Sequence, residues 1–563
     1  MNQATDVDEL LRLADSLFAE MHKVSGEWDE LRRRILPRYD DKARMRETPT
    51  RVKSSAVRDF SPVAYKALLN LASAHLLFIT PIDQQWFALR PTEEDGDYDR
   101  GDDWYAEATE AVYRALADSN FYAVAHEVYL DRCLTGTGCM FADVTKDRRL
   151  VFTHVPTGTY AIAEGAHGEV NTLVRLLKLT AAQAVEYFGG ESLPEKIRRV
   201  YENRGDRYTE LFEFVHVVVP NESAEYGSDM VPPMRRKWRD VYIARDSRQI
   251  VSEGGFYEFP FLVTRFLRGG VSPYGEAPGR VVLPEIESSL LMDRVMDVAG
   301  SRIAMPSVLI TASMAKQVDL RAGGRTIVPE DAYGTGFPKT WADVGDVRFL
   351  LERQENKHRV IREAFFNDVL QVVSQVERQM TATEVNARES ERIICFFSSF
   401  IQFASDFQGM MRRIVCLMWR NRDSHNGAKL PEHAPEEFFS YSADGTKYEL
   451  NVPAARYVGK IAQAFDRIQR YGLEGVLDSI GKLVQLTGDS SIMARLKPWH
   501  IMRFLWDSSG APRKCLVSAE ENEELEQAAR EQAQQAQQAA LLEQLSKAGK
   551  DQAMANNLNE AQV

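Results

Sequence analysis

The chain has 563 residues and a formal net charge of −13, with 44% hydrophobic and 27% charged residues. One hydrophobic core rarely serves more than roughly 250–300 residues, so several domains or an elongated, multi-part subunit are expected. The negative charge argues against a protein that grips DNA by neutralising phosphates, but not against a surface that DNA slides past.

Residues 5–36 predict a helix with Leu10, Leu17, Met21, Trp28, Leu31 and Ile35 on one face, ended by Pro37. Residues 38–58 are rich in charge (Arg38, Lys42, Arg44, Arg46, Arg51, Lys53 and Arg58) and read as a solvated loop or as an arm that orders on a partner. A strongly apolar helix over 62–79 stops at Thr80-Pro81, and Trp86 to Leu89 reads as a strand. Residues 102–135 are helical with a break near Asp118-Ser119-Asn120. From Cys139 to Val219 the period shifts towards two, with strands at Cys139–Val144, Leu150–Val155 and Phe212–Val219 and a helix capped by Thr180. Arg235–Ala244 and Gln249–Glu253 form a hairpin around Asp246-Ser247. The front half is therefore an α+β body.

Helix returns at Leu283–Ile303, with Pro284 in its first turn, and again at Leu350–Val376. Between them lies a Gly- and Pro-rich insert with β-like pieces at Ser307–Ile310 and Thr326–Val328. Gln379 to Arg422 is the longest pattern. Thr381 and Glu384 make a capping box, and apolar residues recur at three- and four-residue spacing from Ile393 to Met418. That predicts a helix of roughly 40 residues, about 60 Å long, buried in a large assembly. Phe438–Val452 is a hairpin on Asp444-Gly445, and residues 453–508 are helical. Ser518-Ala519-Glu520-Glu521 opens a Gln/Ala/Glu-rich helix to about Lys547 that has few large apolar residues of its own, so it is frayed or packs in an oligomer.

Signals for chemistry are sparse. The nearest approach to a phosphate-binding loop, Gly475 to Gly481-Lys482, has the wrong length and is followed by Leu483 rather than Ser or Thr. Gly136-Thr137-Gly138 reads as a helix-to-strand turn, and His75, in an apolar helix, as a hydrogen-bonded core or interface group. Cys133 and Cys139 are too far apart for a paired metal-ligand motif. The acidic run from Glu93 to Asp103 lacks a calcium-loop register and reads as a solvated loop. The five cysteines (Cys133, Cys139, Cys395, Cys416 and Cys515) are expected to be reduced and structural, in a cytosolic setting. The polar start, Met1 to Asp8, gives no expectation of a secretory leader, and no apolar run is long enough for a membrane span. No catalytic group, cofactor or metal is expected.

Several stretches then read together. They are Trp28 with Leu31 and Pro37; Tyr65, Leu68, Asn70-Leu71-Ala72-Ser73 and Leu76; Thr80-Pro81; and Trp86-Phe87 with Leu89. Glu258-Phe259-Pro260, Arg265-Phe266, Tyr274-Gly275 with Pro278-Gly279, and Leu283-Pro284-Glu285-Ile286 follow in order. The most specific is Met380-Thr381-Ala382-Thr383-Glu384-Val385 with Arg388 and Glu391, and the acidic start of the Gln-rich tail closes the series. In number and order these pieces resemble the portal, or head-to-tail connector, proteins of podovirus-type bacteriophages, from about residue 20 to 545. Two departures are local: Cys395-Phe396-Phe397 continues a helix where the family often turns at Leu-Gly-Pro, and Val452-Pro453-Ala454-Ala455 replaces Ser-Pro-Leu-Ala.

The resemblance implies an α+β, predominantly helical portal fold that assembles as a ring of twelve at one capsid vertex. It implies a structural, DNA-conducting role in the virion, with assembly in the host cytoplasm. Double-stranded DNA passes without sequence readout. The implied partners are the terminase large subunit, the major capsid and scaffolding proteins, and the tail adaptor or nozzle proteins. No membrane is involved. Family anatomy puts the wing at 1–282, stem helices at 283–305 and 351–377, and the clip at 306–350. The channel loop and long wing helix span 378–425, the late wing hairpin and crown helices 426–517, and a C-terminal crown or barrel helix with a polar tail 518–563. Arg378, Gln379, Met380 and Thr381 then fall in the channel loop, where Arg378 either faces DNA or makes a subunit salt bridge. Arg321 and Arg325 fall in the clip as candidate docking residues. Two other classes remain open to the sequence: another virion structural protein, such as a scaffold or core protein, and an enzyme with an unmarked carboxylate site.

Overall fold

The computed structural model describes residues 3–36, 60–90, 102–304, 308–309, 339–340, 347–367, 397–422 and 429–458, apart from 146, 148, 204, 228–230, 271, 443–444 and 446–447, and short helical pieces between 473 and 538. The chain opens with α1 (Gln3–Ile35) and α2 (Pro62–Phe78). Ser61 caps the start of α2, its hydroxyl accepting the Ala64 N–H at 3.3 Å. The predicted break in the next helix is real, separating α3 (Asp102–Asp118) from α4 (Phe121–Thr135).

Gly136 ends α4 in the left-handed region at φ 90°, and β2 (Thr137–Val144) leaves directly from it, so the Gly-Thr-Gly triplet is the helix-to-strand turn expected. β2 is the middle strand of a three-stranded antiparallel sheet in the order β3-β2-β9, with β3 at Leu150–Val155 and β9 at Phe261–Arg265. In register, Phe141 faces Thr153 on one side and Phe261 on the other. A second antiparallel sheet runs β4-β5-β6-β7-β8: β4 (Tyr160–Glu164), β5 (Val170–Thr180), β6 (Leu211–Pro220), β7 (Trp238–Ala244) and β8 (Gln249–Phe256). β4, β5 and β9 were not foreseen; Val170–Thr180 is Leu-rich with no clean alternation, because most of its residues are only half-buried. Thr180 closes a full capping box with Gln183 at the start of α5 (Ala181–Phe188), and α6 (Glu195–Glu202) lies beside it.

α7 (Pro278–Ala304) starts five residues earlier than the sequence suggests. Pro284 is therefore inside the helix rather than in its first turn, and Pro278 takes the N-terminal role. α8 (Val347–Ala364) follows. Between them only β10 (Val308–Leu309) and β11 (Lys339–Thr340) are described, as an antiparallel pair. The long apolar pattern is seen as α9 (Phe397–Arg420); its predicted first half, 379–396, lies outside the described residues. The late hairpin joins β12 (Phe439–Tyr441) and β13 (Tyr448–Leu450).

One expectation fails nearby. Arg456–Tyr457, assigned to a helix, is the short strand β14, paired with the far-distant β1 (Phe87–Ala88) in the register Phe87↔Tyr457. The pairing is long-range, so no local pattern announces it.

The core is partitioned. Trp86 is fully buried where α3, α4 and α9 converge, its ring 5.4 Å from Phe407 and 6.4 Å from Phe121. Phe403, Phe407, Met410, Ile414 and Met418 of α9 belong to this cluster, and truncating one of the phenylalanines to alanine costs about 3–5 kcal/mol. The apolar face of α1 covers the two sheets, with Trp28 packed edge-on against Tyr274 at 5.1 Å. A third cluster joins the end of α1 with α2, α7 and α8 through Leu31, Ile35, Leu68, Ile286, Ile361 and Phe365.

Candidate functional site

α7 and α8 form an antiparallel pair rooted in the body. Gly279, at the foot of α7, meets Leu31 and Ile35 of α1, where a Cβ would sit 3.3 Å from Leu31. Val282, Ile286 and Leu290 continue the buried stripe to Ile361 and Phe365. Higher up, the contact between the helices becomes polar. The buried Gln354 amide donates to Ser289 Oγ at 3.1 Å and to Asp293 Oδ1 at 2.5 Å, and Lys357 reaches Glu285 at 2.7 Å. Beyond Leu290 the burial of α7 falls away, and its last turn, 301–304, is exposed throughout.

The outer side of this pair carries apolar residues that the chain itself does not cover. Leu291, Val295 and Val298 are 63%, 46% and 53% exposed. Val295 follows the buried Ile286 by nine residues, which at about 100° per residue puts it on the opposite side of the helix. Phe349 and Val360 of α8 are also exposed and lie away from Gln354. A helix apolar on two opposite faces has a second surface able to pack, and among the described residues only the inner one is covered.

Behind the pair, α9 is pinned to the body by buried arginines. Arg132 donates to the carbonyls of Arg265 (2.9 Å) and Ser399 (2.6 Å), and Arg413 to that of Ala142 (2.8 Å). Arg420 pairs with Glu258. His75 behaves as expected of a core histidine: its Nδ1 bonds the Leu71 carbonyl at 2.8 Å and Nε2 lies 3.2 Å from Ser399 Oγ. Burial and the nearby Arg132 push His75 down to about 3. His216, between Arg175 and Asp240 inside the larger sheet, is pushed down to about 4, by burial first and by Arg175 second. His154 goes the other way. Burial works against its charge, but Asp131 at 2.8 Å and Glu127 outweigh it and carry it up to about 9. Cys133, Cys139 and Cys416 are buried free thiols, and burial raises Cys133 to about 12.

A cleft of about 560 Å³ opens beside α9, between β7, β9 and the late hairpin, with Trp238, Phe259 and Phe261 on one wall and Asp406 and Arg412 on the other. Among the described residues no group of three or more His, Cys, Asp or Glu is arranged to hold a metal ion, and no helix is long and apolar enough to cross a membrane.

The residues singled out from sequence, Arg378, Gln379, Met380, Thr381 and Glu384 of the proposed channel loop and Arg321 and Arg325 of the proposed clip, lie outside the described residues. Sequence reasoning missed Arg132 and Arg413, and met Arg265 only as part of the Arg265-Phe266 stretch. Arg413 had a usable signal, a cation inside the apolar run Met410 to Met418, where a charge implies a buried partner.

The family model described as bacteriophage head to tail connecting protein matches residues 7–517. The portal protein of Salmonella phage epsilon15 is 23% identical over 489 residues, covering 85% of this chain and 84% of that one. The probable portal protein of Bordetella phage BPP-1 is 23% identical over 407 residues, covering 70% and 71%. Among solved structures, the virion of a native gene transfer agent particle aligns at 12% identity and a TM-score of 0.29, over 60% of this chain and 78% of that one. The neck of an empty gene transfer agent particle aligns at 12% identity and a TM-score of 0.33, over 62% and 78%. With the match running through the body, the helix pair and the apolar beam alike, the chain belongs to the bacteriophage head to tail connecting protein family.

Proposed function

We propose that the chain is a bacteriophage portal subunit whose copies close into a twelve-membered ring at one vertex of the capsid. The collinear family match over residues 7–517 carries this reading. The doubly apolar α7 supports it: a heterologous, head-to-tail contact between copies covers Leu291, Val295 and Val298, and repeating it closes a ring.

In this reading residues 1–282 are the wing, 283–305 and 351–377, which take in most of α7 and α8, are the stem, 306–350 is the clip, and 518–563 is the crown or barrel. Terminase drives double-stranded DNA through the axial channel, and tail adaptors later dock at the clip through Arg321 and Arg325. Arg378 to Thr381 line the channel where the second stem helix meets the α9 beam. The ring acts mechanically. It supplies a rigid bore and docking faces, and the chain's net charge of −13 keeps phosphates from sticking to the wall.

Electron microscopy of the purified full-length protein, with native mass measurement on the same sample, tests this. Closed rings with a central hole and the mass of about twelve chains are expected. A compact monomer that hydrolyses ATP or degrades DNA would falsify the portal reading. Arg378→Ala particles are expected to package or retain DNA poorly; normal packaging and retention remove Arg378 from the channel.

A further inference from the structure

The end of α8 and the start of α9 are both hydrogen-bonded to α2. α8 stops at Ala364, and Phe366 takes a left-handed φ of 58°. A bulky side chain rarely adopts that conformation, so something beyond local preference holds the turn. Asn367 supplies it. Its side chain is buried; Nδ2 donates to the Ala67 carbonyl of α2 at 3.0 Å, and Oδ1 accepts from Asn70 Nδ2 at 2.7 Å. At the start of α9, the buried Ser399 meets the same helix. Its Oγ lies 3.2 Å from His75 Nε2, and its carbonyl accepts from Arg132 of α4 at 2.6 Å.

The direction of the Ser399 bond is fixed. Burial and the nearby Arg132 keep His75 neutral. Its Nδ1 faces the Leu71 carbonyl at 2.8 Å, which can only accept, so Nδ1 carries the proton and Nε2 accepts from the Ser399 hydroxyl. Asn70 and His75 are five residues apart in sequence, about 7.5 Å of rise along α2. α2 is itself seated in the body, with Leu68 and Leu71 in the cluster that holds Ile361 and Phe365. Apolar packing tolerates small slides, whereas hydrogen bonds at both junctions set a distance and a direction.

We infer that Asn70 and His75 of α2 are positioning residues: through Asn367 and Ser399 they fix where the chain leaves α8 and where it enters α9, and so set the two fixed ends of residues 368–396. For its consequence the inference rests on the portal reading, because Arg378 to Thr381 fall between those ends. Asn70 and His75 then affect the passage of DNA without touching it.

The test uses Asn70→Ala and Ser399→Ala in the full chain, with Lys66→Ala, exposed on the same helix, as a control. Hydrogen–deuterium exchange is followed by mass spectrometry. Amides of 363–367 in Asn70→Ala, and those of the first two turns of α9 in Ser399→Ala, are expected to exchange roughly fivefold faster. Exchange in the larger sheet is expected to stay at the wild-type rate, which a general loss of stability would not allow. Particles assembled with either variant are expected to yield severalfold fewer DNA-filled heads, and Lys66→Ala a normal number. Asn70 is exposed, so that variant keeps the test open if Ser399→Ala fails to fold. Unchanged local exchange in both variants overturns the inference and leaves the portal reading standing. Faster local exchange with normal DNA filling overturns it as well. If wild-type chains neither form rings nor support filled particles, the portal reading falls, and the positioning role in DNA passage falls with it, while the exchange data still report whether α2 holds both junctions.

Discussion

Arg265 and Asp406, 141 residues apart in sequence, meet in the interior: the Asp406 carboxylate accepts the Arg265 backbone N–H at 3.0 Å and lies 3.5 Å from its guanidinium. Through this contact the edge strand β9 is joined to α9 near the middle of the helix, while Arg132 ties the next link by donating to the Arg265 and Ser399 carbonyls. The beam is thus positioned by hydrogen bonds with a fixed geometry as well as by its apolar face.

Replacing Asp406 by alanine leaves a buried guanidinium short of one partner, with Glu164 still in place. The expected loss is about 3 kcal/mol of subunit stability, at the low end for a broken buried pair, and Asp406→Asn should lose less because an acceptor remains. Urea unfolding followed by tryptophan fluorescence measures both. A loss under about 1 kcal/mol for the alanine variant means that the contact is incidental.

The His154–Asp131 pair makes stability depend on pH in a defined direction. Burial opposes the ionisation of both, but each holds the other charged, and Arg32 and the Thr157 N–H add to the hold on Asp131. The folded pKa of His154 lies above its unfolded value of about 6.5. Its contribution is therefore complete below that pH and is lost as pH rises towards about 9. Asp131 is shifted down, so its contribution is present above the unfolded pKa and disappears as acid protonates the folded carboxylate. Wild type should lose up to about 3 kcal/mol from this site between pH 6 and 9.5, and His154→Gln should remove most of that slope. Parallel slopes in the two proteins would sink the assignment.

Gly136 and Gly275 cross so closely that neither admits a side chain. A Cβ on Gly136 would overlap the Gly275 carbonyl, and one on Gly275 the Gly136 carbonyl. Gly136 also has φ 90°, which disfavours any L side chain. Gly136→Ala is expected to cost at least about 3 kcal/mol and to leave little soluble protein. Recovery of a normally folded subunit with an unchanged melting temperature counts against the close approach.

The outer face of α7 is predicted to matter for assembly and not for the fold of the subunit. Leu291→Asp with Val298→Asp should leave subunit unfolding within about 0.5 kcal/mol of wild type, because both side chains already face solvent. The same pair should abolish or sharply weaken ring formation, since each apolar side chain contributes about 1.5–3 kcal/mol when covered and a charge there reverses the sign. Native mass measurement reads the oligomer directly; full rings from the double variant place the subunit contact elsewhere.

The sequence by itself determined the elements whose signals are local. The break at Asp118–Asn120, the glycine turn at Gly136, the cap at Thr180 and the apolar stripe of α9 all act over a few residues, so they could be read one turn at a time. The collinear order of short motifs from Trp28 to Met380-Thr381-Ala382-Thr383-Glu384 was also enough to identify the family. What only the tertiary structure decided depends on residues far apart in sequence. β14 exists because Phe87 and Ala88 are there to pair with it, and a helical reading of 453–508 had no means of knowing that. Pro284 sits within α7 because the helix begins earlier, at Pro278, with Gly279 docked against α1. The buried arginines, the cleft beside α9 and the second apolar face of α7 are likewise properties of packing. Whether a side chain is covered, and by what, is settled by the three-dimensional neighbours that remove it from water, and a linear pattern does not contain them.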